Sequence, residues 1–144
     1  MEQRLSLVTL GVADLPRARA FYEGVLGWKV AASPPGVVFF DLDGMVLALF
    51  PHADLAQDMM LGKPTLSGGY EGFSLAQNLR SEHEVDALFA HLRHHGSAIV
   101  KPPQRTEWGG YAGYFADPDG HKWEVAYNPY WTILADGRIR MSAP

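Results

Sequence analysis

The sequence predicts an α+β fold of two βαβββ units, and three observations carry that prediction. Two helical stripes of apolar residues stand one in each half of the chain, each preceded and followed by short β-rich runs. The turn D-x-D-G occurs twice, 76 residues apart, each time between two apolar runs. A chain of 144 residues buries roughly 68–70 % of the surface its unfolded form exposes, enough for a substantial core.

The elements follow in order. "LSLVTLGV" (5–12) reads as a strand. Asp14 and Pro16 suit a helix entry, and Ala18, Phe21, Tyr22 and Val25 form one buried stripe that ends at Gly24 and Gly27. Trp28–Ala31, Val37–Leu42 and Met45–Phe50 read as strands, the last two joined by Asp43-Gly44. Pro51 to Gly69, mixed and rich in Met, Asp, Pro and Gly, reads as a connection. Residues 72–78 begin the second unit as a strand. Ser81 and Glu84 then form a capping box ahead of the stripe Val85, Leu88, Phe89 and Leu92, which ends before Gly96. Strands at Ala98–Lys101, Tyr111–Ala116 and His121–Tyr127 complete the unit, the last two joined by Asp119-Gly120. In this register Ala48 is the counterpart of Glu124, and two such units leave sheet faces able to enclose a cleft. Residues 1–130 are expected as a single domain of units at about 5–50 and 70–129, with 131–144 a C-terminal arm or short hairpin.

Composition excludes several functions. Twelve basic against 16 acidic residues give a net charge of −4 with no basic block, so nucleic acid is not an expected partner. Without cysteine there is no disulfide, thiolate nucleophile or Cys-based zinc site. No apolar run approaches the about 20 residues of a membrane helix, and the N-terminus lacks a signal-peptide pattern, so no membrane partner and a cytoplasmic location are expected.

"TLGVADLPRARAFYEGVLGWKV" (9–30) and "YFADPDGHKWEVAYNP" (114–129), with the repeat between them, resemble the vicinal oxygen chelate superfamily, which groups glyoxalase I, bleomycin resistance proteins and extradiol dioxygenases. The resemblance spans about residues 5–130 and implies two curved mixed sheets around a cleft. Activities in the superfamily range from lyases, isomerases and dioxygenases to proteins that only sequester a ligand. It also implies a homodimer and, in metal-dependent members, four ligands at positions matching Leu7, Ala48, Gly72 and Glu124 here. Leu, Ala and Gly side chains offer no donor. One carboxylate supplies too few ligands for a tetrahedral or octahedral ion, so no metal or other cofactor is expected, the alternative being a divalent metal at Glu124.

Each notable residue carries a structural reading beside a functional one. Glu124 could pair with Arg or Lys on an adjacent strand, or act as a general base or ligand anchor whose ionised form an apolar cleft disfavours. His91, His94 and His95 fall off the apolar stripe and suit a solvated helix C-terminus. His52 and His121 stand at strand ends and restore no four-ligand set. D-x-D-G lacks the further acidic positions of a calcium loop, and the residue six beyond Gly120 is Ala126. Phe40, Trp108, Tyr111 and Tyr114 are either core aromatics or a ligand-lining cluster. Thr9, Ser74, Tyr111 and Glu124 are the expected polar contributors. The expected function is binding of a small, partly apolar molecule. The alternatives are a metal-dependent lyase, isomerase or dioxygenase with rearranged ligands such as Glu124 with His52 or His121, a metal-free enzyme with Glu124 as its base, and a purely structural or interaction role.

Overall fold

The computed structural model describes residues 6–58 and 74–141, and the chain divides into two compact units, 1–69 and 70–144. In the first, β1 (Leu7–Val12) lies parallel to β3 (Val46–Pro51), and β2 (Val38–Asp41) lies antiparallel on the other side of β3. In the second, the order is β4 (Leu75–Leu79), β7 (Lys122–Tyr127), β6 (Tyr111–Ala116), β5 (Ala98–Arg105), with β4 parallel to β7 and the other pairs antiparallel. Both sheets are mixed, and the predicted α+β class holds. β3 and β7 play the same part in their sheets, so the counterpart of Ala48 is Glu124, as the repeat predicts.

Helix α1 (Leu15–Ala20) starts where Asp14 accepts a 2.9 Å hydrogen bond from the Arg17 N–H. It widens into a π turn over Phe21–Val25, which buries Phe21 and Tyr22 together. These rings close the first core over Leu10, Val12, Val38, Phe40, Leu47 and Leu49. Helix α3 (Glu82–His94) is capped by Ser81, whose Oγ accepts from the Glu84 N–H at 3.1 Å. The returning bond from Glu84 goes one residue further out than in the usual capping box, to the Arg80 N–H. At its C-terminus the Ser97 N–H reaches the Leu92 carbonyl and Gly96, at φ 70°, bonds Arg93, which is a Schellman motif. Val85, Phe89 and Leu92 are fully buried, with Phe115, Trp123 and Val125 forming the other side of the second core.

Three expectations need correction. Trp28–Ala31 forms no strand; the pairing shrinks to a single bridge between Ala32 and Phe39. Pro34, Pro35 and Gly36 follow at once, and a turn closed by the Val37 N–H on the Pro34 carbonyl ends any ladder there. The connection after Pro51 contains a helix, α2 (His52–Asp58). Strand β5 runs to Arg105 through Pro102 and Pro103, which an edge strand tolerates, and carries two register shifts.

The two D-x-D-G turns share one local bond, Asp41 accepting from the Asp43 N–H and Asp117 from the Asp119 N–H. They nevertheless close different hairpins. In the first, Asp43 and Gly44 have φ of 57° and 113° and the Leu42 N–H bonds the Met45 carbonyl, a type I′ turn. In the second, Pro118 cannot take a positive φ; it opens a type I turn, Gly120 supplies the left-handed residue, and the loop is one residue longer. Residues 131–141 form the expected short hairpin, β8 (Trp131–Ile133) with β9 (Ile139–Met141), tied back by Arg80 to the Leu134 carbonyl at 3.0 Å.

Candidate functional site

Strand alternation sorts the second sheet into two faces. Trp123 and Val125 of β7 and Phe115 of β6 face the helix, which leaves Glu124, Tyr114, Ala112, Ala116 and Ala126 on the opposite face. Glu124 is the ladder partner of Ala76 on one side and Tyr114 on the other. It is half-buried, with the Tyr114 phenol as its cross-strand neighbour. Burial first, then the negative charge and hydrogen bond of Glu124, raise the pKa of Tyr114 above the ordinary phenol value, so Tyr114 is a neutral donor. The carboxylate thus has a phenol as its partner where an arginine or lysine was one expectation.

The expected site residues do not all gather here. Ser74, just ahead of β4, has the parity of Ala76 and Glu124 and so belongs to this face. Counted along the ladders, Ser74 and not Gly72 is the counterpart of Leu7; Gly72 and Phe73 lie outside the described residues. Tyr111 belongs to the helix face: its hydroxyl donates to Asp86 of α3 at 2.8 Å, and that bond is the main cause of its raised pKa. Phe40 is a core ring, 1 % exposed, packed 5.6 Å from Tyr22 and 5.7 Å from Trp28. Trp108 sits 45 % exposed in the turn between β5 and β6, outside the sheet. Thr9 stands in the first unit as the ladder partner of Ala48, away from the helix-facing Leu10 and Val12.

The same face of the first sheet is mostly apolar, with Thr9 and Asp41 as its polar members. A pocket of about 470 Å³ at one end of it is lined chiefly by Leu7, Ala32, Phe39, Met45 and Val46, with Asp41 at its edge. That volume lies in the range of roughly 300–1,000 Å³ usual for small-molecule pockets. At the other end, helix α2 covers the face, since a Cβ on Gly11 would come within 2.5 Å of His52 Nδ1.

Leu7 and Ala48 have no coordinating atom, and among the described residues no group of three His, Asp or Glu could hold an ion. His121 is buried against Asp117, its Nδ1 2.7 Å from the carboxylate, which also accepts from the His121 N–H; the pair closes the second hairpin from inside. His91 and His95 lie exposed near the C-terminus of α3 with ring centroids 4.4 Å apart.

Among the described residues, four polar ones of the Glu124 face lie outside the expected set: Asn78, the partner of Ala126, Lys101, the partner of Tyr114, Gln104, the partner of Ala112, and Lys122, the partner of Ala116. Asn78 was accessible by counting two residues from Ala76. Lys101 was not, because a bulge decides its face.

Comparison with known proteins agrees with the fold. The profile of the Glyoxalase/Bleomycin resistance protein/Dioxygenase superfamily matches residues 4–125. The metallothiol transferase FosB of Lysinibacillus sphaericus is 31 % identical over 122 residues, 85 % of this chain and 80 % of that protein. A glyoxalase-related enzyme from Fulvimarina pelagi superposes with a TM-score of 0.88 at 35 % identity, covering 99 % of this chain and 100 % of that one. A lactoylglutathione lyase from Agrobacterium tumefaciens shares the fold at 24 % identity, with a TM-score of 0.69 over 89 % of this chain and 96 % of its own.

Proposed function

This chain belongs to the Glyoxalase/Bleomycin resistance protein/Dioxygenase superfamily, and from that premise we propose that it binds a small, partly apolar molecule without a metal at the family's ligand positions. The observation that carries this reading is the Glu124–Tyr114 pair, a carboxylate and a phenol set among alanines on a sheet face. Few convergent polar groups in apolar surroundings are what small-molecule recognition needs. Glu124 accepts from the ligand's hydroxyl or amine, and Tyr114 holds the carboxylate in place. In the first unit, taken by itself, Leu7 stands at a metal-ligand position as part of the wall of an apolar pocket. The protein acts as a homodimer, on the pattern the resemblance implies.

A second reading follows from the relative's name. A metallothiol transferase uses a metal, and this chain would then bind a divalent ion through Glu124 and donors other than Leu7 and Ala48. Metal analysis of protein purified without chelator separates the two. The proposal expects substoichiometric metal, unchanged in Glu124→Ala; near-stoichiometric metal lost in that variant overturns it. A third arm tests catalysis: turnover abolished in Glu124→Gln with ligand affinity retained would make Glu124 a base as well as an anchor. Light scattering on the purified chain checks the dimer.

A further inference from the structure

Lys101 owes its face to a bulge. In β5, Ile99 is the partner of Phe115, a fully buried ring on the helix side of the sheet. An unbroken antiparallel ladder would put Lys101 opposite Gly113, on that same side. The register shifts between them, and Lys101 stands opposite Tyr114. One extra residue in a strand carries the following side chains to the other face. Gly113 is what lets the bulge sit there: a Cβ on it would meet the Lys101 carbonyl oxygen at 2.8 Å, the Pro103 nitrogen at 2.8 Å and Phe89 Cζ at 2.6 Å. Glycine leaves that space to the backbone of β5.

The consequence is a row across four strands: Lys101, Tyr114, Glu124, Ala76. Ladder neighbours are about 5 Å apart at Cβ, so the cation-bearing and anion-bearing positions are separated by about 10 Å, with the phenol between them. Among the described residues neither Lys101 nor Glu124 enters an ion pair. Both are half-buried, where a charge-assisted hydrogen bond to a ligand is stronger than one formed in open water.

We propose that this row recognises an amphoteric small molecule: its anionic group meets Lys101, an amine at its far end donates to Glu124, and its apolar middle lies over the half-buried ring of Tyr114. This assignment rests on the reading that Glu124 anchors a ligand. A neutral apolar molecule would leave two charges desolvated and unmet, and a simple cation would meet repulsion at Lys101.

The probe is 4-(aminomethyl)benzoate, with its methyl ester and its N-acetyl derivative, titrated calorimetrically into the full chain. Wild type is expected to bind the amphoteric parent at least about tenfold more tightly than either derivative, the difference of one lost charge-assisted contact. Lys101→Met erases the preference over the ester, Lys101→Arg keeps it, and Glu124→Gln erases the preference over the N-acetyl form. Equal binding of parent and ester by wild type, or discrimination that survives Lys101→Met, overturns the proposal. If parent and ester bind equally and Glu124→Gln weakens both, the role of Lys101 falls while Glu124 as an anchor stands. If no compound binds, both fall.

Discussion

Replacing Tyr114 with Phe removes one hydroxyl from the middle of the second sheet and nothing else. The interaction tested is that of the phenol with the neighbouring Glu124 carboxylate, which as a full hydrogen bond to a charged group is worth about 1.5–3 kcal/mol net when buried. Both partners are half-buried, so water recovers part of that, and a loss of about 1–1.5 kcal/mol is expected. For a chain of this size 1 kcal/mol moves Tm by about 2–4 °C, so thermal unfolding at neutral pH should fall by about 2–6 °C. Glu124→Gln and the double variant complete a cycle that isolates the pair, with an expected coupling of about 1 kcal/mol. Circular dichroism suffices as the assay. A Tyr114→Phe variant within about 1 °C of wild type, or a cycle that closes with no coupling, would refute the bond on which the Glu124 site is built.

Gly113→Ala should be more damaging, because two of the atoms its Cβ meets are backbone; overpacking of this kind costs about 1–3 kcal/mol, and an unchanged Tm would mean that β5 does not cross over Gly113. Ser81→Ala removes the cap of α3 at a cost of about 1 kcal/mol, read as a lower denaturant midpoint with an unchanged slope. Alkaline titration tests the two raised phenols. Tyr111 and Tyr114 should ionise above the about 10 of an unfolded tyrosine, so their stabilisation is complete below that pH and is lost as pH rises through their folded values. Phenolate absorbance of wild type against Tyr111→Phe and Tyr114→Phe checks this, and coincident curves would contradict both bonds.

Much of this molecule was legible because its signals are local. Asp14, Ser81 and Gly96 fix helix ends through bonds within four or five residues, and each cap forms where the sequence places it. Two misplaced site residues could have been found by parity alone. Tyr111 and Tyr114 are three apart, so a regular strand cannot present both on one face. Phe40 follows from the first hairpin: a two-residue turn at Asp43-Gly44 pairs Asp41 with Val46, hence Phe40 with Leu47, which alternation puts on the face opposite Ala48. Helix α2 escaped because seven residues starting from Pro51-His52 offer too short a period to read. The lost strand at Trp28–Ala31 could have been suspected from Pro34-Pro35, which removes two donors in succession.

Lys101 belongs to a different category, because its face depends on a mismatch between two strands. Pro102 and Pro103 announce an edge strand, but only the ladder tells which of Gly113 and Tyr114 Lys101 meets. The bulge also separates two units that otherwise repeat. Ala48 with its neighbours Thr9 and Phe39 holds the same ladder places as Glu124 with Ala76 and Tyr114. In the first unit the fourth strand, which would have carried a counterpart of Lys101, is reduced to the bridge at Ala32. Both charges therefore sit in the second unit, along with the phenol between them, and the first offers an apolar wall at Leu7 and Phe39. Substitutions at Lys101 and Glu124 should therefore alter which polar groups the ligand of the proposed row must carry, whereas substitutions at Leu7 and Phe39 should alter only the pocket of the first unit.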